Sequence, residues 1–313
     1  MKRVLYGLAI LILALVAVGC SSNTDEGSNS DETSNEMITI EHELGSTEVK
    51  KNPEDIVVFD FGILDTLDEL GIDVVGLPQM NIPSYLDKYA SDDYENVGSL
   101  KEPDFEKIAE INPELIIISS RQAELIDQFE EIAPTVYLGL DTSRYLDSFK
   151  ENMGVVAELF DKEEEMEEKL AALDEEIADV VAQAEELNEN ALIVLANDDK
   201  ISAYGPSSRF GIIHDVLGVE PADDGIEVST HGMNVSFEYV ADTNPGILYV
   251  IDRSAAIGEG EVAKQLIENP LVERTDAYKN DRIYYLDPDF WYLSGGGLQS
   301  VSEMIEEIAT SLD

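Results

Sequence analysis

The chain contains one sequence pattern twice, and this repeat limits the folds that are open to it. Phe105 to Arg121 reads FEKIAEINPELIIISSR, and Phe237 to Arg253 reads FEYVADTNPGILYVIDR. In each copy a short helical pattern ends before Asn-Pro, because the residue before a proline disfavours the helical region. A strongly apolar strand follows, which is typical of a parallel sheet covered on both faces. The repeat therefore predicts two related α/β halves with these segments in equivalent places.

A long helical pattern lies between the two copies. Residues 162 to 187 contain neither glycine nor proline, and their apolar side chains form one stripe: Met166, Leu170, Leu173, Ile177 and Val180 or Val181. At about 1.5 Å per residue such a helix is long enough to join two lobes, although it could instead lie on the surface of one lobe. We expect an α/β fold of two Rossmann-like lobes joined by a single long α-helix. The N-terminal lobe is predicted at residues 38–160, the interlobe helix at 161–188 and the C-terminal lobe at 189–313.

The N-terminus has the pattern of a secretory signal peptide at residues 1–19. Lys2 and Arg3 precede an apolar run that ends in small residues before Cys20, and the run is too short for a transmembrane helix. Cys20 is the only cysteine, so no internal disulfide can form. Ala-Val-Gly-Cys resembles a bacterial lipobox, which predicts lipidation of Cys20; an ordinary signal peptide with an incidental cysteine is the alternative. The polar, acidic residues 20–37 predict a disordered tether, and together these features predict a lipid-anchored protein at the cell membrane that faces outside the cytoplasm.

The net charge of −48 restricts the partners of the protein. The acidic side chains are scattered over every predicted helix, which indicates a solvated surface suited to high salt or high external pH rather than a cation site. Nucleic-acid binding requires basic stripes, so this class of function is excluded. Only seven arginines are present, and an arginine that recurs at equivalent places in both halves is therefore informative.

Three of these arginines are predicted to face one cleft between the lobes. Arg121 and Arg253 each follow the carboxyl end of a predicted buried strand, and Arg209 begins a helix after another strand. Ligands of open α/β sheets bind beyond the carboxyl ends of the strands, and helix N-termini favour anions. The three arginines therefore predict a strongly anionic ligand, unless each of them pairs with a local acid.

His231, in STHGMN, and Tyr292, in DFWYLSGGG, are expected beside the same cleft. An imidazole nitrogen and a phenolate oxygen both bind iron well, and phenolate suits the ferric ion especially. Taken alone, each residue also fits an ordinary surface loop.

This organisation resembles the class III substrate-binding proteins of ABC importers, a family that delivers ferric siderophores, haem and cobalamin. The resemblance covers Ile38 to the C-terminus and is carried by NPEDIVVFDFGILDTLDELGIDVVGLP, by VGSLKEPDFEKIAEINPELIII and by the repeated segment. Within the family, the three arginines, STHGMN and FWYLSGGG are similar to those of the catecholate-siderophore lipoproteins of the petrobactin and enterobactin type.

The resemblance implies a role for each of these residues. Arg121, Arg209 and Arg253 would neutralise an anionic ferric catecholate siderophore, and His231 and Tyr292 would complete the coordination of its iron when a tetradentate siderophore leaves two positions empty. Exposed Glu106 and Glu238, one in each lobe, would dock onto an ABC permease dimer, although acids near helix N-termini also favour the helix dipole. The chain would then be a monomeric binding protein for iron transport with no intrinsic cofactor, and ferric iron would arrive within the siderophore.

Two alternatives remain. A haem- or cobalamin-binding protein of the same fold is the nearer one, because His231 or Tyr292 could be an axial haem ligand and Met233 lies close in sequence. A nucleotide-cofactor enzyme is the other, because GEGEVA at Gly258–Ala263 matches a dinucleotide fingerprint. That match trails its strand and belongs to no early βαβ unit, and no G-x-S-x-G motif is present. We therefore expect no enzymatic activity.

Overall fold

The structure is a computed structural model that describes residues 36–260 and 263–313. The predicted signal peptide, Cys20 and the tether as far as Asn35 lie outside these residues, as do Glu261 and Val262 of the GEGEVA pattern. None of the helices in the described residues is both long enough and apolar enough to cross a membrane.

The first half of the chain forms a parallel sheet preceded by a hairpin. The hairpin consists of β1 (Met37–His42) and β2 (Gly45–Lys50). The sheet contains β3 (Ile56–Val58), β4 (Gly76–Leu77), β5 (Glu95–Asn96), β6 (Leu115–Ile118) and β7 (Thr135–Tyr137), in the order β5-β4-β3-β6-β7. The chain enters at β3, moves outward to β5 and then crosses to β6. The carboxyl ends of β3 and β6 therefore form the crevice where ligands of such sheets bind.

Helices lie between these strands and after the last of them. They are α1 (Phe61–Glu69), α2 (Phe105–Ile111), α3 (Ile126–Glu130) and α4 (Tyr145–Phe160), with 3-10 helices at Ser84–Ala90, Ser120–Leu125 and Thr142–Arg144. α1 begins directly after β3, where the carboxylate of Asp60 accepts hydrogen bonds from the N–H groups of Gly62 and Ile63. This cap satisfies two backbone donors that have no partner inside the helix.

The long helix is α5 (Glu163–Leu187), and it buries one apolar stripe. Met166, Leu173, Ile177 and Val180 are buried, as the sequence predicts, and so is Ala184. Lys169 pairs with Glu69 of α1, and Lys150 of α4 pairs with Asp174. Near its C-terminal end Val181 faces Gly218 of the second half. The helix therefore lies along elements of both halves.

The second half forms a mixed sheet. Its strands are β8 (Asn190–Asn197), β9 (Lys200–Tyr204), β10 (Glu220–Pro221), β11 (Met233–Val235), β12 (Ile247–Asp252) and β13 (Ile283–Leu286), in the order β11-β9-β8-β12-β13 with β10 beside β8. Its helices are α6 (Ile212–Asp215), α7 (Phe237–Thr243), α8 (Arg253–Ala256), α9 (Ala263–Ile267), α10 (Asp276–Lys279) and α11 (Leu298–Leu312). A 3-10 helix at Val272–Arg274 lies between α9 and α10, and a π-helical turn at Asp289–Leu293 lies between β13 and α11.

The repeated sequence is a repeated structural unit. α2 with β6 and α7 with β12 are its two copies, and each helix has seven residues. Asp104 and Ser236 cap the two helices, and Asn112 and Asn244 end them in the left-handed conformation with φ of 53° and 49°. Asparagine tolerates this conformation better than most residues. The predicted α/β fold of two related halves is confirmed.

The last helix of the chain packs against the first half. α11 lies against α1 and α5, and buried Asp65 of α1 accepts hydrogen bonds from the N–H groups of Gln299 and Ser300. Thr66 Oγ1 accepts another from the N–H of Leu298. The N-terminus of α11 is therefore capped by α1. Because α11 follows the π-helical turn, this packing also fixes the segment at Asp289–Leu293 close to the first half.

Candidate functional site

A cleft of about 530 Å³ is lined by residues from both halves of the chain. The first half contributes the ends of β3, β6 and β7 and the start of α4, and the second half contributes two loops and the π-helical turn. The polar residues among them include Asp60, Ser119, Ser120, Arg121, Thr142, Tyr145, Asn152, Ser208, Arg209, Ser229, Thr230, Tyr292 and Ser294. The cleft therefore lies beyond the carboxyl ends of β3 and β6, where the strand order of the first sheet reverses.

Tyr292 is the point at which the three predicted arginines meet. Its carbonyl oxygen accepts a hydrogen bond from Arg121 Nη2 at 3.4 Å and another from Arg209. The Arg209 guanidinium also lies over the Tyr292 ring, 4.3 Å from its centre. Arg253 Nε donates to the Tyr292 hydroxyl at 3.1 Å. The three arginines thus come together in space although they lie far apart in sequence.

The two sheets place Arg121 and Arg253 in equivalent ways. Arg121 lies in the 3-10 helix that follows β6, and Arg253 begins α8 directly after β12. Arg253 Nη1 also donates to Asn197 at the end of β8, at 2.9 Å. Arg209 follows a tight loop in which Ser207 has φ of 58°. Arg121 and Arg253 therefore follow the carboxyl ends of β6 and β12. Arg209 does not begin a helix as the sequence predicts, because α6 starts only at Ile212. Arg121 and Arg209 line the cleft, whereas Arg253 is not among its described lining residues and reaches it through Tyr292.

No salt bridge joins Arg121, Arg209 or Arg253 to a carboxylate within residues 36–260 and 263–313. Two other arginines do have acidic partners, Arg144 with Glu151 and Arg282 with Glu189. Burial and the nearby positive charge of Arg121 lower the pKa of Arg209. Like charges that are held together without counter-ions favour binding of an anion.

The same cations act on Tyr292. Burial raises the pKa of its phenol, but Arg209 and Arg253 together outweigh burial, and the net pKa lies below the ordinary value. A lowered phenol pKa increases the fraction of phenolate at a given pH. Tyr292 is therefore better suited to bind a hard metal ion than an ordinary exposed tyrosine.

This shift predicts a titration that can be measured. Because the positive charges of Arg209 and Arg253 stabilise the phenolate and lower the pKa of the phenol, Tyr292 should ionise at a lower pH than an ordinary tyrosine, whose pKa is about 10. In an ultraviolet titration at about 295 nm, a wavelength typical of tyrosinate, the wild type should show one early ionisation that is lost in Tyr292→Phe. Identical titration curves for the two proteins would show that the arginines do not act on this phenol.

His231 lies at the edge of the cleft. It is exposed, and the preceding residues Val228, Ser229 and Thr230 line the cleft. Gly232 follows with φ of 71°, and a side chain there would come within 2.6 Å of the Tyr204 ring. Glycine is needed at that position, and it holds the loop against β9. His231 therefore lies next to the cleft, although it is not among the described residues that line it.

The two predicted docking glutamates occupy equivalent positions. Glu106 is exposed in the first turn of α2, and Glu238 is exposed in the first turn of α7. Because the two helices are the copies of the repeat, the structure presents one exposed glutamate on each half.

Within the described residues, no three His, Cys, Asp or Glu side chains are grouped so that they could hold a metal ion.

Several polar residues of the cleft are not predicted from the sequence. Asp60 and Ser119 are bonded to each other at 2.6 Å across the ends of β3 and β6, and Thr142 Oγ1 donates to the Ser207 carbonyl from the opposite half at 3.2 Å. Their position directly after apolar strands is the signal that could have identified Asp60 and Ser119.

Known proteins share this architecture. The chain is 51% identical to the petrobactin-binding protein YclQ of Bacillus subtilis, and the alignment covers 100% of both chains. The crystal structure of YclQ superposes with a TM-score of 0.87 and 54% identity, over 89% of this chain and 99% of that one. The periplasmic catecholate-siderophore binding protein VctP of Vibrio cholerae gives a TM-score of 0.84 and 33% identity, over 88% and 100%.

The sequence profile of the periplasmic binding protein family matches residues 56–290. This match spans both sheets, the long helix between them and all three clustered arginines. Together with the identity to YclQ over the full chain, it shows that this chain belongs to the periplasmic binding protein family.

Proposed function

We propose that the protein captures an anionic ferric catecholate siderophore in the cleft and delivers it to an ABC permease for iron uptake. In this proposal residues 38–160 and 189–313 act as two lobes about the helix between them, and the protein acts as a monomeric binding protein rather than an enzyme. Lipidation of Cys20 would anchor it to the outer face of the cell membrane. The names of the relatives, which include petrobactin and catecholate siderophores, support this class of ligand.

The arginine cluster is the observation that carries the proposal. A ferric catecholate has a net negative charge, and its burial is costly unless cations match it. Guanidinium groups suit this role because each presents a planar fork of N–H donors to adjacent oxygens. The net charge of the chain is −48, yet three arginines without a carboxylate partner in the described residues surround one tyrosine. This local positive charge fits such an anion.

The iron itself would be held mainly by catecholate oxygens. Tyr292, with its lowered phenol pKa, and His231 on the neighbouring loop would provide two further donors. This role suits a siderophore that supplies four ligands and leaves two positions of the octahedron open. Arg209 and Arg253 would then both favour the phenolate and neutralise the bound complex.

The visible spectrum of the ferric complex tests this coordination. We expect the charge-transfer band of ferric petrobactin bound to the wild type to differ from that of the complex with His231→Ala plus Tyr292→Phe. The reason is that loss of two donors changes the ligand field of the iron. An unchanged band with unchanged affinity would show that neither residue binds the iron.

A second titration separates ferric catecholate from haem. Trp291 is the only tryptophan and adjoins Tyr292, so its fluorescence should be quenched when ferric petrobactin binds. Haemin added to the same protein should produce no shift of its Soret band. A saturable Soret shift without quenching by ferric petrobactin would favour the haem-binding alternative instead.

Docking to the permease should depend on the two repeat glutamates. The double variant Glu106→Gln plus Glu238→Gln should bind ferric petrobactin normally but support little iron uptake, because two equivalent subunits need two equivalent contacts. The matched control changes neighbouring exposed acids of the same helices, Glu110→Gln plus Asp242→Asn. Uptake at the wild-type rate by the first variant, or equal loss in both, would reject the docking role.

A further inference from the structure

The segment that carries Tyr292 is held by side chains from the first half of the chain. The Asp289 carboxylate accepts hydrogen bonds from the N–H of Ser84, at 2.7 Å, and from its hydroxyl. Tyr85 Oη lies 2.7 Å from Ser294 Oγ, and the Tyr85 ring packs on Phe290 with 4.8 Å between the ring centres. These contacts lie on both sides of Tyr292 along the chain.

The hydroxyl of Tyr85 also reaches a buried carboxyl group. Its Oη lies 3.0 Å from Asp65 Oδ2, and Asp65 is only 1% exposed. A phenol has one proton and cannot donate to Ser294 and Asp65 at once. Ser294 Oγ in turn donates to the Asp289 carbonyl oxygen at 2.7 Å.

All of these contacts are satisfied when Asp65 is protonated. Asp65 then donates to Tyr85, Tyr85 donates to Ser294, and Ser294 donates to the carbonyl of Asp289. Burial favours this state, since it raises the pKa of Asp65 to about 7. The titratable groups that face Asp65 are the phenols of Tyr85 and Tyr145, and its other contacts are N–H groups and Ser300 of α11.

We propose that Asp65 and Tyr85 are positioning residues for Tyr292, and that the hydrogen-bond chain from Asp65 through Tyr85 and Ser294 fixes the π-helical turn relative to the arginines. Neither residue touches Arg209 or Arg253 in the contacts described. They act through the backbone of the turn, which presents the Tyr292 carbonyl to Arg121 and Arg209 and its hydroxyl to Arg253. Residues of the first half thus set the position of Tyr292, which belongs to the second half.

The test uses Tyr85→Phe, which keeps the ring on Phe290 and removes only the hydroxyl. Tyr89→Phe is the matched control, because Tyr89 lies on the same 3-10 helix and donates to Asp68 of α1 at 2.9 Å, away from the turn. The first measurement needs no ligand: the ¹³C resonance of the Tyr292 ring at about pH 6, which lies below the Asp65 pKa, identified by its loss in Tyr292→Phe. This resonance should move in Tyr85→Phe and stay in place in Tyr89→Phe.

The second measurement rests on the function proposed above and uses ferric petrobactin. Tyr85→Phe should weaken binding about three- to tenfold in the wild-type background, the range expected for one hydrogen bond. In the Tyr292→Phe background the same change should have a smaller effect, because the Tyr292 hydroxyl, one of the groups that the turn positions, has been removed while its carbonyl remains. Equal losses in both backgrounds, or a Tyr292 resonance that does not move in Tyr85→Phe, would overturn the positioning role. If ferric petrobactin fails to bind the wild type, the proposed function is at fault, and the resonance alone decides the positioning role.

Discussion

Replacing Arg121, Arg209 and Arg253 together with glutamine is expected to weaken binding of ferric petrobactin about a thousandfold or more. Glutamine keeps a hydrogen-bonding group but removes the positive charge. Each charge-assisted hydrogen bond contributes about 1.5–3 kcal/mol, so each single variant should lose about ten- to a hundredfold. The measurement is the quenching of Trp291 during a titration of the variant with the ferric siderophore.

Arg144→Gln is the matched control for this prediction. Arg144 is exposed and pairs with Glu151 at 2.6 Å, and surface pairs of this kind contribute little. The control should bind like the wild type. Wild-type affinity in the triple variant would mean that the arginine cluster does not bind the anion, and the proposed ligand class would lose its main support.

Gly62→Ala should destabilise the folded protein by about 2–3 kcal/mol, the cost of overpacking a tight contact. Gly62 lies inside α1, where the N-terminus of α11 comes very close. A methyl group at Gly62 would lie 2.8 Å from both the Gly297 nitrogen and the Ser294 carbonyl oxygen. These are backbone atoms, so α1 and α11 would have to move apart. The measurement is the midpoint of urea unfolding.

The same substitution at Gly154 is expected to have the opposite effect on the stability of the folded protein. Gly154 lies inside α4, and a methyl group there has no heavy atom within 4 Å. Alanine is the better helix former, so the variant should be more stable by about 0.5–1 kcal/mol. A Gly62→Ala protein as stable as Gly154→Ala would show that α1 and α11 do not pack as closely as described.

The repeat predicts much of the fold because it specifies both the local helix–strand unit and the presence of two related halves. A capped helix, an Asn-Pro stop and an apolar strand specify one helix–strand unit, and two copies specify two parallel regions. The apolar stripe of α5 is predicted for the same reason. By contrast, β9 and β11 are short strands of mixed polarity, with β11 at the edge of the sheet and β9 between β11 and β8. Their sequence pattern does not identify them as strands.

The return of α11 to the first half is also missing from the sequence prediction. An amphipathic helix shows which face it buries, but its pattern does not name the partner. The contact depends on Gly62, Asp65 and Gly297, whose importance is visible only when α1 and α11 are seen together. Of the three glycines that follow Ser294, Gly297 approaches α1.

The convergence of Arg121 and Arg253 could be predicted, because each follows the strand of one copy of the repeat and these strand ends are equivalent places in the two sheets. The common partner of the three arginines could not be predicted, since two of the three bind the backbone carbonyl of Tyr292, and a backbone atom leaves no signal in the residue types. The direction of the Tyr292 pKa shift likewise follows from three-dimensional contacts with Arg209 and Arg253.

The most direct test of the central claim is the position of the iron. Crystals grown with ferric petrobactin, measured at the iron absorption edge, would give an anomalous difference map that locates the metal without a prior interpretation. We predict one iron peak in the cleft, beside Tyr292 and within the group formed by Arg121, Arg209 and Arg253. An iron peak elsewhere on the protein, with the three guanidinium groups turned away from the siderophore, would contradict it.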